Sequence, residues 1–144
     1  MVLEPSLQQV LEDYQSAVHA KDVDAFVALY DANVRVFDMW ATWSYDGIAA
    51  WRAVVAAWFE SLGAERVAVA FSNAQARVAH DLAVVHVFVR YRALGAEGNE
   101  LRSMSNRMTL ALRQTAGRWK IVHEHTSSPI EQDSAKATFT RAGE

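Results

Sequence analysis

Asp38 sits in the run Phe37-Asp38-Met39-Trp40, a carboxylate between large apolar neighbours. Such a group loses hydration, which disfavours its ionised form and raises its pKa toward the range where a general base works. A strand-end Asp that merely terminates pairing is the other reading of the same residue. Tyr14 falls in a stripe of Leu7, Val10, Leu11, Tyr14 and Val18 at helical spacing. A buried phenol needs a partner for its hydroxyl: a ligand, a backbone carbonyl, or Asp38 itself. The third stretch is WKIVHEHTSSP, Trp119 to Pro129. Strand alternation places Trp119, Ile121, His123 and His125 on one face, and Lys120, Val122, Glu124 and Thr126 on the other. The two histidines then stand about 7 Å apart along the strand. That spacing admits zinc, yet a closed site needs a third protein ligand, and nothing in the pattern brings His19, His80 or His86 near. No metal is expected. One histidine packed beside Trp119, with Glu124 offered to an Arg of a neighbouring strand, stands against a pocket-facing role for Glu124 or His125.

Seven of the fifteen aromatic residues fall between Phe37 and Phe59. Trp51, Trp58 and Phe59 share a helical stripe and are explained by packing, with Trp58 also within reach of a pocket. Trp40 and Trp43 lie in a strand-to-helix connection, where aromatics line a pocket mouth or an interface. Farther on, His86, Phe88 and Arg90 share one strand face, and Val85, Val87, Val89 and Tyr91 the other. Arg107 and Thr109 likewise oppose Met108, Leu110 and Leu112. Alternation alone leaves open whether the polar set faces a cavity or water. Ser127-Ser128 has no G-x-S-x-G turn around it, and no Gly-rich loop comes after a strand to cradle phosphate, so no cofactor is expected.

The elements that must position these groups emerge from the periodicity. Pro5 and Ser6 open the first helix, Asp22 caps a second over KDVDAFVALY, and ANVRVFDMW reads as a short strand. A long amphipathic helix carries Ile48, Trp51, Val55, Trp58, Phe59 and Leu62, and Gly63 stops it. From Glu65 the period changes from 3.6 to 2, and RVAVAFSNAQARVA, LAVVHVFVRYRAL, RSMSNRMTLALRQ and RWKIVHEHTS read as four strands. Helices followed by antiparallel strands predict an α+β fold, with three N-terminal helices on one face of a curved sheet. The reading assigns residues 1–130 to one domain and 131–144 to a polar, frayed tail.

With 144 residues, the chain suffices for one core; 51% hydrophobic and 22% charged residues are ordinary globular values. A formal charge of −3 without a basic run argues against nucleic acid, and the absence of cysteine removes thiol chemistry. The opening MVLEPSLQQ has no signal-like apolar stretch, and no run reaches membrane-span length, so a cytoplasmic, membrane-free protein is expected.

The order of elements, with DGIAAWRAVVAAWF before the strands and GRWKIVHEHTSSP at the end, resembles the NTF2-like superfamily. Within it the chain is most similar to SnoaL-like and ketosteroid-isomerase-like proteins, over about residues 5–130. The W-x-x-V-H-x-H ending also resembles the association domain of calcium/calmodulin-dependent kinases. The resemblance implies a cone whose open mouth holds a small apolar or aromatic ligand. By comparison with the isomerases, Tyr14 matches the oxyanion donor and Asp38, nine residues before Gly47, the general base. The second acid of those enzymes has no Asp counterpart in SMSNRMTLAL, leaving Asn106, Arg107 or Thr109 to donate. The kinase-domain likeness tilts Arg90 and Arg107 into the pocket. The resemblance implies a cofactor-independent isomerase, cyclase or dehydratase-like enzyme using Asp38, Tyr14 and Arg107. Trp40, Trp43, Trp58, His86, Phe88, Arg90, Glu124 and His125 would then contact the ligand. A non-catalytic binding or oligomerisation domain of the same fold is the alternative. Apolar residues on both faces of the strands predict a homodimer through the sheet, from about Val67 to His125.

Overall fold

The computed structural model describes residues 3–144; the first two residues of the opening MVLEPSLQQ lie outside the described residues. Helix α1 (Pro5–Ala20) starts with proline in its first turn, where the missing N–H costs nothing. Its partner α2 (Val23–Val27) is capped by Asp22, whose carboxylate accepts from the Ala25 N–H at 3.0 Å. Strand β1 (Tyr30–Phe37) comes next, then a two-residue strand β2 (Tyr45–Asp46) that the periodicity does not reveal, and helix α3 (Ile48–Ser61). Gly47 enters α3 at φ +87°, a conformation that side-chain-bearing residues rarely adopt. Four long strands complete the chain: β3 (Arg66–Ala79), β4 (Leu82–Leu94), β5 (Glu100–Thr115) and β6 (Arg118–Ser127).

The six strands form one sheet in the order β2-β1-β6-β5-β4-β3, antiparallel except where β1 runs parallel to β6. One face meets the helices. Leu7, Leu11 and Val18 of α1 and Val55 and Phe59 of α3 join Val85, Val87, Val89, Met108, Leu110 and Ile121 in a single core. Each such side chain contributes about 1.5–3 kcal/mol on burial. Two irregularities curl the sheet around the helices. In β3 an extra residue lies between the pairs Ser72↔Phe88 and Gln75↔His86. In β6, Ala111↔His123 is followed by Leu112↔Ile121, so Val122 has no partner position on β5. Bulges of this kind bend a strand and increase its twist.

The second bulge overturns one expectation. Unbroken alternation puts His123 and His125 with Trp119 and Ile121; the extra residue at Val122 reverses the phase. Trp119 and Ile121 point to the core, and so do Glu124 and Thr126, while His123 and His125 turn to the outer face. The tail departs from expectation too: residues 129–144 fold back, with Thr138 N–H donating to Pro129 C=O at 2.7 Å and Ser105 N–H to Phe139 C=O at 2.7 Å. No helix among the described residues is long and apolar enough to cross a membrane.

The two faces of β5 should respond differently to truncation. Leu110→Ala, in the core, is expected to cost about 2–5 kcal/mol in chemical denaturation, whereas exposed Thr109→Ala should stay within about 0.5 kcal/mol. Equal losses would contradict this assignment of faces.

Candidate active site

Between the helices and the curled end of the sheet lies a cavity of about 590 Å³, within the range of small-molecule sites. Its exposed rim comprises Trp40, Ala41, Arg102 and Ser103, and its walls are the rings of Tyr45, Trp51, Trp58 and Tyr91 with Val54 and Val67. Deeper in, the polar groups converge: Tyr14 from α1, Asp38 at the end of β1, Asn106 from β5, and Glu124 and Thr126 from β6.

Glu124 is the most buried of these, with 2% of its surface exposed. Its carboxyl accepts a hydrogen bond from the Tyr30 hydroxyl at 2.6 Å. Loss of hydration dominates, and the nearby charge of Asp38 adds to it, against the opposing Tyr30 bond. The pKa is pushed up from the ordinary 4.5 to about 7. Asp38 is also raised, by burial, with hydrogen bonds from Thr126 Oγ1 at 3.2 Å and from the backbone opposing the shift. Thr126 Oγ1 itself accepts from the Met39 N–H at 3.1 Å, which ties the strand-end loop to β6. The phenols of Tyr14 and Tyr91 are 2.9 Å apart, and burial raises the pKa of both, so each is a neutral hydroxyl able to donate. Two buried polar atoms, Trp51 Nε1 and Asn106 Oδ1, have no hydrogen-bond partner among the described residues. Both residues line the cavity, and leaving these two atoms unpartnered is costly.

Several expected site residues are elsewhere: most lie on the outer face of the sheet, which does not reach the cavity, and Trp43 lies in the loop between β1 and β2. Arg107 lies on that face and donates to Ser127 Oγ at 2.8 Å. Phe88 lies there under the Arg141 guanidinium, 4.2 Å from its ring centre. Arg90 pairs with Glu100 at 3.7 Å and Glu144 at 3.6 Å. His86, paired across from Thr109, is exposed. His125 packs beside Phe37, 5.5 Å between ring centres, and Trp43 is 96% exposed. These two line a second cleft of about 680 Å³ with Arg35, Met39 and Ile130, and Asp38 and Thr126 line both this cleft and the first cavity. The expected inward tilt of Arg90 and Arg107 is thus corrected, as are the positions of His86 and Phe88, while Trp43 and His125 face the second cleft. Tyr14, Asp38, Trp40, Trp58 and Glu124 do line the cavity.

Asn106 and Tyr91 are the residues that sequence reasoning underrates. The signal was present in the alternation, because Asn106 shares its face with Met108 and Leu110, and Tyr91 with Val85, Val87 and Val89. No group of three His, Cys, Asp or Glu side chains arranged to hold a metal ion occurs among the described residues.

Three helices on a six-stranded, mostly antiparallel open sheet, enclosing an apolar cavity, define the class as an NTF2-like α+β cone. The chain belongs to the family described as SnoaL-like domain, whose model matches residues 7–131. It is similar to the structure of an NTF2-like protein of unknown function from Pseudomonas putida KT2440. The TM-score there is 0.82 at 25% identity, covering 94% of this chain and 93% of that one. It is also similar in fold to a putative calcium/calmodulin dependent protein kinase II association domain from Xanthomonas campestris, with TM-score 0.73, 13% identity and coverages of 87% and 86%. Aln2 from a Streptomyces species shares the fold at TM-score 0.76, 13% identity and coverages of 88% and 93%. No curated protein matches the sequence.

The buried carboxyl carries a stability signature. Between about pH 4.5 and 7 the folded chain retains a Glu124 proton that the unfolded chain has released. Stability from this group is therefore complete below that window and lost as pH rises through it, by roughly 3 kcal/mol at most. Urea unfolding from pH 4.5 to 8 should show this decline, and Glu124→Gln should flatten it. An equal slope in both proteins would count against a protonated Glu124.

Proposed function

We propose that this protein is a cofactor-independent acid/base catalyst that moves a proton on a small, largely apolar carbonyl compound, of the kind a polyketide-like ring presents. The observation that carries this reading is the pair of carboxyls, Asp38 and Glu124, lining one apolar cavity with both pKa values raised. The charge of Asp38 adds to burial in holding Glu124 protonated, which separates a base from an acid. Asp38, the less buried and hydrogen-bonded to Thr126, is the base that takes a proton from the carbon beside the carbonyl. The Tyr14–Tyr91 hydroxyl pair donates to the oxygen on which negative charge develops. Glu124, protonated in the lower half of the neutral range, supplies the acid that the expected Arg107 does not. It returns a proton to the product or hydrogen-bonds the same oxygen. Asn106 and Trp51 shape the space the ligand fills. Isomerisation, ring closure and dehydration all begin with this first proton abstraction.

A homodimer is part of the same reading, now on a smaller surface. The tail covers Phe88, Arg90 and Ser105, while Leu82 and Val84 are 47% and 44% exposed on the outer face of the hairpin end. A second copy seated there buries that patch. Arg77, Arg107 and Arg113 lie around it, so added salt, by screening like charges, should strengthen the pair. Light scattering at micromolar concentration is expected to give twice the 16.1 kDa chain mass; a monomer at every salt concentration contradicts it.

The catalytic reading can be tested without the natural substrate. The wild-type protein in D₂O should speed deuterium incorporation beside the carbonyl of 2-tetralone, followed by NMR. Asp38→Asn should fold normally and lose about 10²–10⁴ of that acceleration, and Tyr14→Phe about 10²–10³. An unchanged rate in Asp38→Asn rejects the mechanism and leaves a non-catalytic binding domain.

A further inference from the structure

We propose that residues 129–144 form a strap whose Phe139, acting through Trp40, sets the width of the cavity mouth and so selects which ligands enter. This rests on the reading that the cavity takes a ligand. It does not depend on Asp38 acting as a base.

Strand β6 pairs with β5 only as far as Ser127↔Arg107, which leaves the rest of β5 with an open edge on that side. That edge runs directly into the rim, since Arg102, Ser103, Met104 and Asn106 all line the cavity. Unpaired edges are a liability that chains cover, and this one is covered by the residues beyond the end of β6. The Ser128 hydroxyl donates to Ser105 C=O at 3.1 Å, and Phe139 C=O accepts from Ser105 N–H at 2.7 Å. Between those two points the chain makes a small hairpin, with Ile130 bridged to Ala137 and Glu131 N–H donating to Lys136 C=O at 2.8 Å.

The far end is anchored across the sheet. The Arg141 guanidinium lies over the Phe88 ring on β4 and donates to Ser72 Oγ on β3 at 3.2 Å. Glu144 lies 3.6 Å from Arg90 and accepts from Ser105 Oγ. These anchors fix the backbone at position 139, and the Phe139 ring rests on Trp40, 5.4 Å between ring centres. Trp40 is a rim residue of the cavity. Phe139 is the one aromatic residue of the strap, and its ring contact is with the cavity rim.

Isothermal titration with two probes tests the idea: 2-naphthol, with two fused rings, and 1-hydroxypyrene, with four. The wild type should favour 2-naphthol. Phe139→Ala, and separately removal of residues 131–144, should shift the affinity ratio toward 1-hydroxypyrene by about fivefold or more, while Phe139→Leu should largely restore it. In the free protein the Ser105 amide should exchange slowly with solvent, and faster after truncation. An unchanged ratio in both variants, or a Ser105 amide that exchanges like an open edge in the wild type, overturns the proposal. If neither probe binds the wild type, the cavity reading fails and the strap's role falls with it. A shifted ratio with an unaltered rate in Asp38→Asn would uphold the strap while rejecting the catalytic reading.

Discussion

A carboxyl group lies almost fully buried among Tyr30, Trp51 and the aliphatic side chains of a sheet, held by one phenolic hydrogen bond. Placing Glu124 there is costly if the group is charged, and its raised pKa is the form that cost takes. What puts it there is a single extra residue. Val122 interrupts the ladder between β5 and β6, and downstream of it every side chain of β6 changes face. Glu124 and Thr126 enter the cavity, and His123 and His125 leave it. The setting of Asp38, which accepts a hydrogen bond from Thr126 and helps raise the pKa of Glu124, results from the same bulge.

The rest of the architecture separates two jobs. The inner half of the sheet and the helices make an aliphatic core at one end and an aromatic-walled cavity at the other. Tyr14, Phe26, Trp51, Val55, Leu62 and Val67 belong to both, packing into the core on one side and lining the cavity on the other. The bulges in β3 and β6 add to the curvature of the sheet around the helices, and the cavity it encloses has Trp40 and Arg102 at its rim. The outer face carries His86, Arg107, His123 and His125, where water or another surface can solvate them. The short edge of β5 beyond Arg107, which neither half accounts for, is closed by the chain's own last residues.

Most of the fold was legible in the sequence because its elements are long and their periods unambiguous. The 3.6-residue stripes of α1 and α3, the Gly63 stop and the alternation from Glu65 onward are each set by local sterics and burial. Asp38, Tyr14, Trp40 and Trp58 were legible as cavity residues through spacing and family likeness together. Arg107, Arg90 and His125 were not. An alternating strand announces two faces without labelling either, and a bulge resets the count with no mark of its own, since Val122 is an ordinary strand residue. The tail was unreadable for a different reason. Its order comes from isolated contacts (Phe139 on Trp40, Arg141 on Phe88, Glu144 on Arg90) that no periodicity encodes.

Two carboxyls, Asp38 and Glu124, line one apolar cavity, and the deeper one has its pKa pushed up to about 7. The measurement that tests this most directly is ¹³C NMR titration of the Glu124 side-chain carboxyl, assigned by comparison with Glu124→Gln. The account predicts a midpoint near 7, shifting downward in Asp38→Asn as the neighbouring charge is removed. A midpoint at the ordinary 4.5, unmoved by that substitution, would contradict it.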